Sequence, residues 1–188
     1  MNMSALIEQC MSLKKAAHVL GTVNTKAKNE ALKQVALSLK NQETFILQEN
    51  AKDIENAIKN NMKDSLIDRL RLTKDRVQGM IDSINTIIDL KDPIWKSNDV
   101  WTLENGLTIS KMTVPIGVIG IIYESRPNVT VDAFAITLKS GNCVLLRGSS
   151  TSLHSNRALV SAIKEGLKNS PISQDVIALI DDPDRAVV

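Results

Sequence analysis

The sequence predicts an α/β protein in which an N-terminal helical layer is followed by a β-hairpin and an incomplete doubly wound, Rossmann-like parallel sheet. All five prolines and six of the eight glycines lie beyond residue 92, so residues that break helices are confined to one half. Apolar residues recur at spacings of three and four before that point, whereas β-branched runs alternate with helical stretches after it. We therefore divide the chain into a helical segment (1–92), a linker with the hairpin (93–113) and a partial Rossmann-like domain (114–188).

Four or five amphipathic helices are predicted in the first 92 residues. Cys10 belongs to the apolar stripe of the first helix and is expected in the core. Gly21 suits a left-handed residue after that helix. Thr73 is expected to cap the helix that carries the last stripe, over residues 77–88. Acidic and basic residues are interleaved, which is typical of solvated helix faces.

Strands and helices alternate after Pro93. The pair Asn105-Gly106 separates two strand-like runs (100–104 and 107–112) and predicts a hairpin with a type I′ turn. The β-branched run 114–123 is typical of a strand buried on both faces of a parallel sheet. Right-handed β-α-β units then follow. Their remaining elements are a helix over about 130–139, a strand over 143–147, a helix over 153–167 and a short strand over 176–180.

The end of the chain predicts an unfinished fold. Asp182-Pro183-Asp184 resembles the start of a helix, but only about one turn follows it. Three parallel strands would also leave an apolar edge strand unprotected, which folded proteins normally avoid. We therefore expect the chain to be a fragment.

Composition excludes several classes of protein. No apolar run approaches the roughly 20 residues that span a bilayer, so no membrane association is expected. A net charge of +2 and five aromatic residues argue against a nucleic-acid partner. Cys10 and Cys143 lie far apart without a CxxC motif, which argues against a disulfide framework or a metal site. No secretion signal opens the sequence, so we expect a cytoplasmic protein.

The loop after the first parallel strand carries polar side chains where ligands of such sheets usually bind. Pro127 stiffens the turn that presents Asn128. A fixed side-chain amide there can donate to an oxygen that becomes negative during attack on a carbonyl. The alternative is that Asn128 and Thr130 cap the following helix. Arg126 is a candidate to pair with Glu124.

The loop after the second parallel strand is a candidate phosphate site. Arg147 ends the strand, Gly148 permits close approach, and hydroxyl groups that include Ser149 and Ser150 precede a helix. The loop matches neither GxGxxG nor GxxxxGK[ST], so ordinary capping remains the alternative.

The two histidines and the two cysteines are not expected to do chemistry. His154 and Asn156 fall in the first turns of the next helix, where surface or capping roles are expected. His18 is interpreted as structural. Neither cysteine suits a nucleophile, because a buried thiol stays protonated.

Several stretches of the sequence together match one known family. They are runs 114–132, 138–142, 145–148 and 154–156, Glu49-Asn-Ala-Lys-Asp53, and Asn105-Gly-Leu107. On these residues the sequence resembles the gamma-glutamyl phosphate reductases of the aldehyde dehydrogenase superfamily. The resemblance covers the whole chain but only the first part of the family's length.

This resemblance implies a fold of the aldehyde dehydrogenase type and an NADPH-dependent reduction of L-glutamyl 5-phosphate to the semialdehyde of proline biosynthesis. It implies that Asn128 is the oxyanion donor, that Arg147 and the adjoining Gly148, Ser149 and Ser150 contact NADP(H), and that Arg126 is a candidate substrate contact. The family's catalytic cysteine lies in a later domain, as do the strands through which it forms homo-oligomers. We therefore expect the isolated chain to be inactive.

Residues 149 and 151 depart from the family's commoner Arg-Gly-Gly-Ser-Glu loop. Ser149 and Thr151 occupy positions where that pattern has glycine and glutamate. Loss of the glutamate removes a possible ribose acceptor and leaves a 2′-phosphate less repelled, which is compatible with NADP(H). The alternative to the enzyme fragment is a non-catalytic nucleotide-binding or interaction module whose open sheet edge pairs with a partner.

Overall fold

Helices make up nearly all of the first half of the chain. The computed structural model describes residues 3–182. It has five helices before residue 90, which confirms the predicted helical layer. These are α1 (Met3–Leu20), α2 (Thr25–Asn41), α3 (Glu43–Lys59), α4 (Asp64–Leu70) and α5 (Lys74–Asp89).

One predicted helix boundary is confirmed and another is wrong. The Thr73 hydroxyl accepts a hydrogen bond from the backbone N–H of Arg76 at 3.2 Å, as expected for a cap of α5. Gly21 does not have a positive φ. Its N–H donates to the carbonyl of Ala17 at 3.0 Å, which continues the helical pattern instead of reversing it.

The expected burial of Cys10 is also wrong. Cys10 is exposed, as is Ile7. Leu13 and Leu20 carry the buried face of α1. Ile7 and Cys10 therefore lie outside the core, although their apolar spacing continues the same stripe.

The predicted hairpin forms, but its turn differs from type I′. Strands β1 (Ser97–Thr102) and β2 (Thr108–Met112) pair antiparallel. Gly106 has a φ of +84°, whereas Asn105 does not have a positive φ. The N–H of Gly106 donates to the carbonyl of Leu103, and the Asn105 side chain accepts from the N–H of Leu107. A turn of the ordinary hand followed by a left-handed glycine therefore closes the hairpin.

The second half forms the predicted β-α-β-α-β unit. The three strands are parallel in the order β3-β4-β5, so the middle strand is β4. The elements are β3 (Val118–Ile122), α6 (Asn128–Lys139), β4 (Cys143–Arg147), α7 (Leu153–Lys168) and β5 (Ile177–Leu179). Short 3-10 turns, Ser150–Ser152 and Gln174–Val176, precede α7 and β5.

Strand β3 is not buried on both faces as predicted. It lies at the edge of the described sheet and pairs only with β4. Ile122 is 67% exposed and Gly120 is exposed as well. A run of apolar residues indicates a strand that can be covered, whereas its actual burial depends on neighbours that β3 lacks among residues 3–182.

One apolar core joins the helical layer to the sheet. Helices α2 and α3 pack on α7, and α5 packs on α6. At Gly166, a Cβ atom would come within 2.6 Å of the Cα of Val35, so the two helices α2 and α7 approach at backbone distance. The helical layer therefore fixes both crossover helices and, with them, the loops at the ends of β3 and β4.

The predicted helix start at Asp182-Pro183-Asp184 extends into residues 183–188, which lie outside the described part of the chain. Among the helices of residues 3–182, none combines the length and the apolarity that crossing a bilayer requires.

Candidate active site

The two loops predicted to carry chemistry lie side by side. Strands β3 and β4 are adjacent and parallel, with Ile122 opposite Arg147, so their carboxyl ends share one edge of the sheet. The hydroxyl oxygens of Ser125 and Thr151, one from each loop, are 2.6 Å apart. The structure therefore brings the Arg126–Asn128 loop next to the Arg147–Ser150 loop.

A network of buried side-chain hydrogen bonds connects these two loops. Thr130 donates to the Asn156 carbonyl oxygen at 3.1 Å, and the Asn156 amide donates to the Ser152 hydroxyl at 3.1 Å. The Tyr123 hydroxyl lies 2.6 Å from that of Thr130. Because Thr130 donates its only hydroxyl proton to Asn156, Tyr123 donates to Thr130. Burial raises the pKa of Tyr123 to about 12, so it keeps this proton.

The position of Asn156 in this network differs from the prediction. A surface or capping role was predicted, but Asn156 is 1% exposed and connects α6 to the loop before α7. Sequence reasoning also missed Tyr123 as a structural residue. The only local signal was a tyrosine at the end of an apolar strand, where its hydroxyl needs a partner.

Gly148 is required by the network. A Cβ atom at this position would lie 2.1 Å from the Asn156 amide nitrogen and 3.2 Å from a ring carbon of Tyr123. Because Gly148 does not have a positive φ, space rather than backbone conformation requires glycine here. The close approach predicted for Gly148 is thus made to the protein's own asparagine.

We expect Gly148→Ala to lower the free energy of unfolding by about 2 kcal/mol, because overpacking displaces a buried, hydrogen-bonded amide. Denaturant unfolding measures the change. Gly79→Ala is the matched control, since nothing lies within 4 Å of a Cβ atom at this position in α5. The control should be neutral or stabilising by up to about 1 kcal/mol. Equal effects of the two substitutions would contradict the packing argument.

Helix α3 fixes the start of α7, immediately after the second loop. Asp53 accepts from the Ser155 N–H at 2.8 Å, from the Ser155 hydroxyl at 2.6 Å and from the His154 N–H at 3.2 Å. Asn50 donates to the Ser155 hydroxyl at 2.9 Å and accepts from the N–H of Leu72. The sequence 49–53 therefore serves as a cap supplied from another helix.

A small cavity of about 120 Å³ adjoins the second loop. Whole small-molecule ligands usually occupy roughly 300–1,000 Å³, so this space suits a single phosphate or ribose. Ser149 accepts from the Thr151 N–H at 3.3 Å, which confirms the capping alternative for this residue. Ser150 is exposed. The lining residues are Arg147, Gly148, Ser149, Ser150, Leu153, Ile180 and Asp182.

Asn128 does not cap α6. Pro127 occupies the capping position, and no side-chain hydrogen bond caps the helix. The Asn128 amide instead donates to the Asp132 carboxylate at 3.3 Å, and the Ser83 hydroxyl donates to the other oxygen of Asp132 at 3.0 Å. Thr130 likewise belongs to the buried network, so the capping alternative was wrong for both residues. Asn128 remains exposed at the first turn of α6.

The predicted pairing of Arg126 with Glu124 is also not found. The Arg126 backbone N–H donates to the Glu124 carbonyl at 2.7 Å, but no ion pair between their side chains occurs in the described structure. Arg126 and Asn128 instead line a cleft of about 540 Å³ between α4, α5 and the start of α6. Three further arginines line it: Arg69, Arg71 and Arg76. We call this the arginine cleft.

The cysteines and histidines add no reactive group to either loop. Cys143 is buried as predicted, and burial raises the pKa of its thiol to about 12, so the thiol keeps its proton. His154 Nδ1 lies 3.5 Å from Glu49 Oε2 at the protein surface. His18 is exposed. In the described range, no group of three or more His, Cys, Asp or Glu side chains is arranged to hold a metal ion.

Curated relatives of the chain carry a family name, although no family model matches the sequence. The chain is 73% identical over 186 residues to the gamma-glutamyl phosphate reductase of Alkaliphilus metalliredigens, covering 99% of this chain and 45% of that protein. The gamma-glutamyl phosphate reductase of Alkaliphilus oremlandii is 66% identical with the same coverage. The chain thus spans less than half the length of these curated relatives.

Solved structures give the same result. The gamma-glutamyl phosphate reductase of Thermotoga maritima superposes with a TM-score of 0.94 at 45% identity, covering 97% of this chain and 44% of that one. The Saccharomyces cerevisiae protein of the same name gives 0.89 at 27% identity, with coverage of 96% and 47%. An acetylating aldehyde dehydrogenase from Geobacillus thermoglucosidasius gives 0.70 at 12% identity, covering 98% and 38%, which shows a shared fold alone.

Proposed function

Because the chain belongs to the gamma-glutamyl phosphate reductase family and corresponds to its N-terminal portion, we propose that it supplies the nucleotide loop and the oxyanion donor of a reductase. The proposed reaction converts L-glutamyl 5-phosphate and NADPH into L-glutamate 5-semialdehyde, phosphate and NADP. Residues 114–188 are assigned to the cofactor domain, and residues 1–92 to the helical layer that supports it.

The observation that carries this proposal is the adjacency of the two loops at the carboxyl ends of β3 and β4. Parallel sheets of this type bind nucleotides at such an edge. Arg147 and Gly148 adjoin a cavity the size of one phosphate or ribose, so the residues present fit one part of NADPH. When bound, NADPH supplies the hydride. In this proposal Arg147 contacts the phosphorylated ribose through charge-assisted hydrogen bonds.

Asn128 is suited to hold an oxyanion. Its amide nitrogen carries two protons, and the bond to Asp132 uses only one of them. Because Ser83 fixes the other oxygen of Asp132, the amide is oriented before substrate arrives. A preoriented donor of this kind is commonly worth about 10²–10³ in rate. Cys143 is buried, and Cys10 lines neither the cavity nor the arginine cleft. By resemblance to the family, whose catalytic cysteine lies in a later domain, this proposal assigns the attacking thiolate to that domain and not to Cys10 or Cys143.

We expect Arg147→Ala to weaken NADPH binding about tenfold or more, since hydrogen bonds to charged groups are worth about 1.5–3 kcal/mol. Isothermal titration calorimetry of the 188-residue chain measures this. NADH should bind more weakly than NADPH, and Arg147→Ala should reduce the difference between them.

The matched control is Lys59→Ala, which also removes one positive charge but lies in the exposed last turn of α3. It should leave NADPH binding unchanged. Two results would contradict the assignment: equal losses in the two variants, or folded protein that does not bind NADPH. Circular dichroism on each sample establishes that the protein is folded.

A further inference from the structure

We propose that the arginine cleft binds the α-amino acid head of an acidic amino-acid substrate. The inference rests on the proposed function, which supplies the substrate class, but it concerns a different surface from the nucleotide loop. The carboxylate of the head would be held by arginines and its ammonium group by aspartates. The residues that carry the argument are Arg69, Arg71, Asp75, Arg126, Asn128 and Asp132.

Three guanidinium groups in this cleft are available to a ligand. Arg76 is already engaged: it pairs with the Asp68 carboxylate at 3.2 Å and donates to the Arg71 carbonyl at 2.6 Å. Arg69, Arg71 and Arg126 are exposed. Within residues 3–182, the structure gives their side chains no ion pair and no hydrogen bond. A carboxylate fits a guanidinium in bidentate geometry, so these groups define an anion site.

The same cleft also carries acidic groups. Asp75 is exposed, and Asp132 is half-buried with one bond to each carboxylate oxygen, from Ser83 and Asn128. A carboxylate oxygen has two lone pairs, so Asp132 can accept further bonds. An amino-acid head presents both a carboxylate and an ammonium group, so it matches a lining that carries both arginines and aspartates. The mixed charge of the lining therefore suits a zwitterion.

The position of Asn128 links the cleft to the chemistry. Asn128 lines the cleft and is also the proposed oxyanion donor at the reacting carbonyl. In glutamate the two carboxyl carbons are separated by four carbon–carbon bonds of about 1.5 Å, or roughly 5 Å when extended. A cleft of about 540 Å³ has room for this length. A substrate whose acyl carbon lies at Asn128 can thus extend its charged head towards Arg126 and Arg71.

The test is a nuclear magnetic resonance titration of the ¹⁵N-labelled chain with L-glutamate as probe. We expect saturable shifts at backbone amides that line the cleft, such as Arg71, Gly79 and Arg126. Arg126→Gln and Arg71→Gln should each weaken binding about fivefold to tenfold, because each removes charge-assisted bonds to the carboxylate. Glutarate, which lacks the ammonium group, should bind more weakly than L-glutamate.

Lys74→Gln is the matched control. It makes the same change of charge on the residue before Asp75, but Lys74 is 79% exposed and does not line the cleft. The Lys74→Gln variant should bind L-glutamate with the same dissociation constant as the unmodified chain. The inference is overturned if L-glutamate leaves the cleft amides unshifted in folded protein, if Lys74→Gln weakens binding as much as Arg126→Gln, or if glutarate binds as well as L-glutamate.

Titrating the same sample with NADPH separates this inference from the proposed function. Shifts at the amides of residues 147–150 report the nucleotide loop. NADPH binding without L-glutamate binding would overturn the cleft and leave the cofactor assignment intact. L-glutamate binding at the cleft without NADPH binding would support the cleft and overturn the cofactor assignment.

Discussion

Asp53→Ala is expected to lower the free energy of unfolding by about 3–4 kcal/mol. Asp53 is 2% exposed and accepts three hydrogen bonds from the start of α7. Its removal leaves buried N–H and O–H donors without an acceptor, and each such group costs about 1–3 kcal/mol. Chemical denaturation of the two proteins measures the loss.

Two further variants sharpen this test. Asp53→Asn keeps one oxygen acceptor and should cost less than Asp53→Ala. Glu55→Gln, on an exposed position of the same helix, should change stability by no more than about 0.5 kcal/mol. A loss from Asp53→Ala no larger than that of Glu55→Gln would mean that Asp53 does not hold the start of α7.

The pKa of Asp53 gives the pH dependence of this effect. Burial raises the pKa of Asp53, and the hydrogen bonds from Ser155 and His154 only partly oppose the increase. A carboxyl group with a raised pKa binds its proton more tightly in the folded state, so its contribution to stability is not lost on acidification. The difference in the free energy of unfolding between the original protein and Asp53→Ala should therefore not become smaller when the pH is lowered from 7 to 5.

The local sequence pattern was sufficient to predict the helices and strands and to place the loops after β3 and β4 in one site. Strand β4 lies where it was predicted because Gly141 and Gly148 delimit a short apolar run. The cap at Thr73 depends on residues three positions apart. Arg147 and its neighbours were assigned to one site because the edge of a parallel sheet collects the residues that follow its strands.

Long-range contacts explain what the sequence could not predict. Asn156 is buried because Thr130, 26 residues earlier, supplies a partner. Asp53 is buried because Ser155, 102 residues later, does so. The burial of β3 and Cys10 depends in the same way on neighbouring elements, which apolar spacing does not specify.

The arginine cleft was missed apart from Arg126 and Asn128. It combines α4 and α5 with the start of α6, and these elements are separated by some 40 residues. The sequence carried one signal of this cleft. Every arginine of the first 92 residues falls at positions 69, 71 or 76, whereas the other basic residues there are lysine or histidine. Such clustering of the residue best suited to bind carboxylates indicates a common site.

Asp92→Asn is expected to lower the free energy of unfolding by about 3–5 kcal/mol, because it leaves a buried ammonium group without its counter-ion. Lys28 is 1% exposed, its Nζ lies 2.5 Å from Asp92 Oδ2, and it donates to the Lys139 carbonyl at 3.1 Å. The Lys139 ammonium lies nearby and donates to Asn29 and to the Ile88 carbonyl, both at 2.8 Å. Thermal and denaturant unfolding at pH 7 measure the loss.

The sign of the pH dependence is opposite to that at Asp53. Burial raises the pKa of Asp92, but hydrogen bonds from Lys28 and Thr25 outweigh it and hold the pKa below its ordinary value. The stability from Asp92 is therefore complete above the ordinary carboxyl pKa of about 3.9 and is lost as the pH falls through the lower, folded-state value. The difference in Tm between the original protein and Asp92→Asn should be large at pH 7 and should shrink below about pH 4.

Glu165→Gln makes the same carboxylate-to-amide change in an exposed pair, where Glu165 lies 2.6 Å from Lys168. Exposed pairs are worth at most about 1 kcal/mol, so this control should be nearly neutral. Lys28→Met in the Asp92→Asn background removes the unpaired cation and should recover part of the lost stability, because an apolar side chain of similar length fills the space without a charge. A loss of stability from Asp92→Asn as small as that from Glu165→Gln would contradict this argument. It would mean that Lys28 finds another anion or water, and that the ion pair does not hold α2 to the segment before the hairpin.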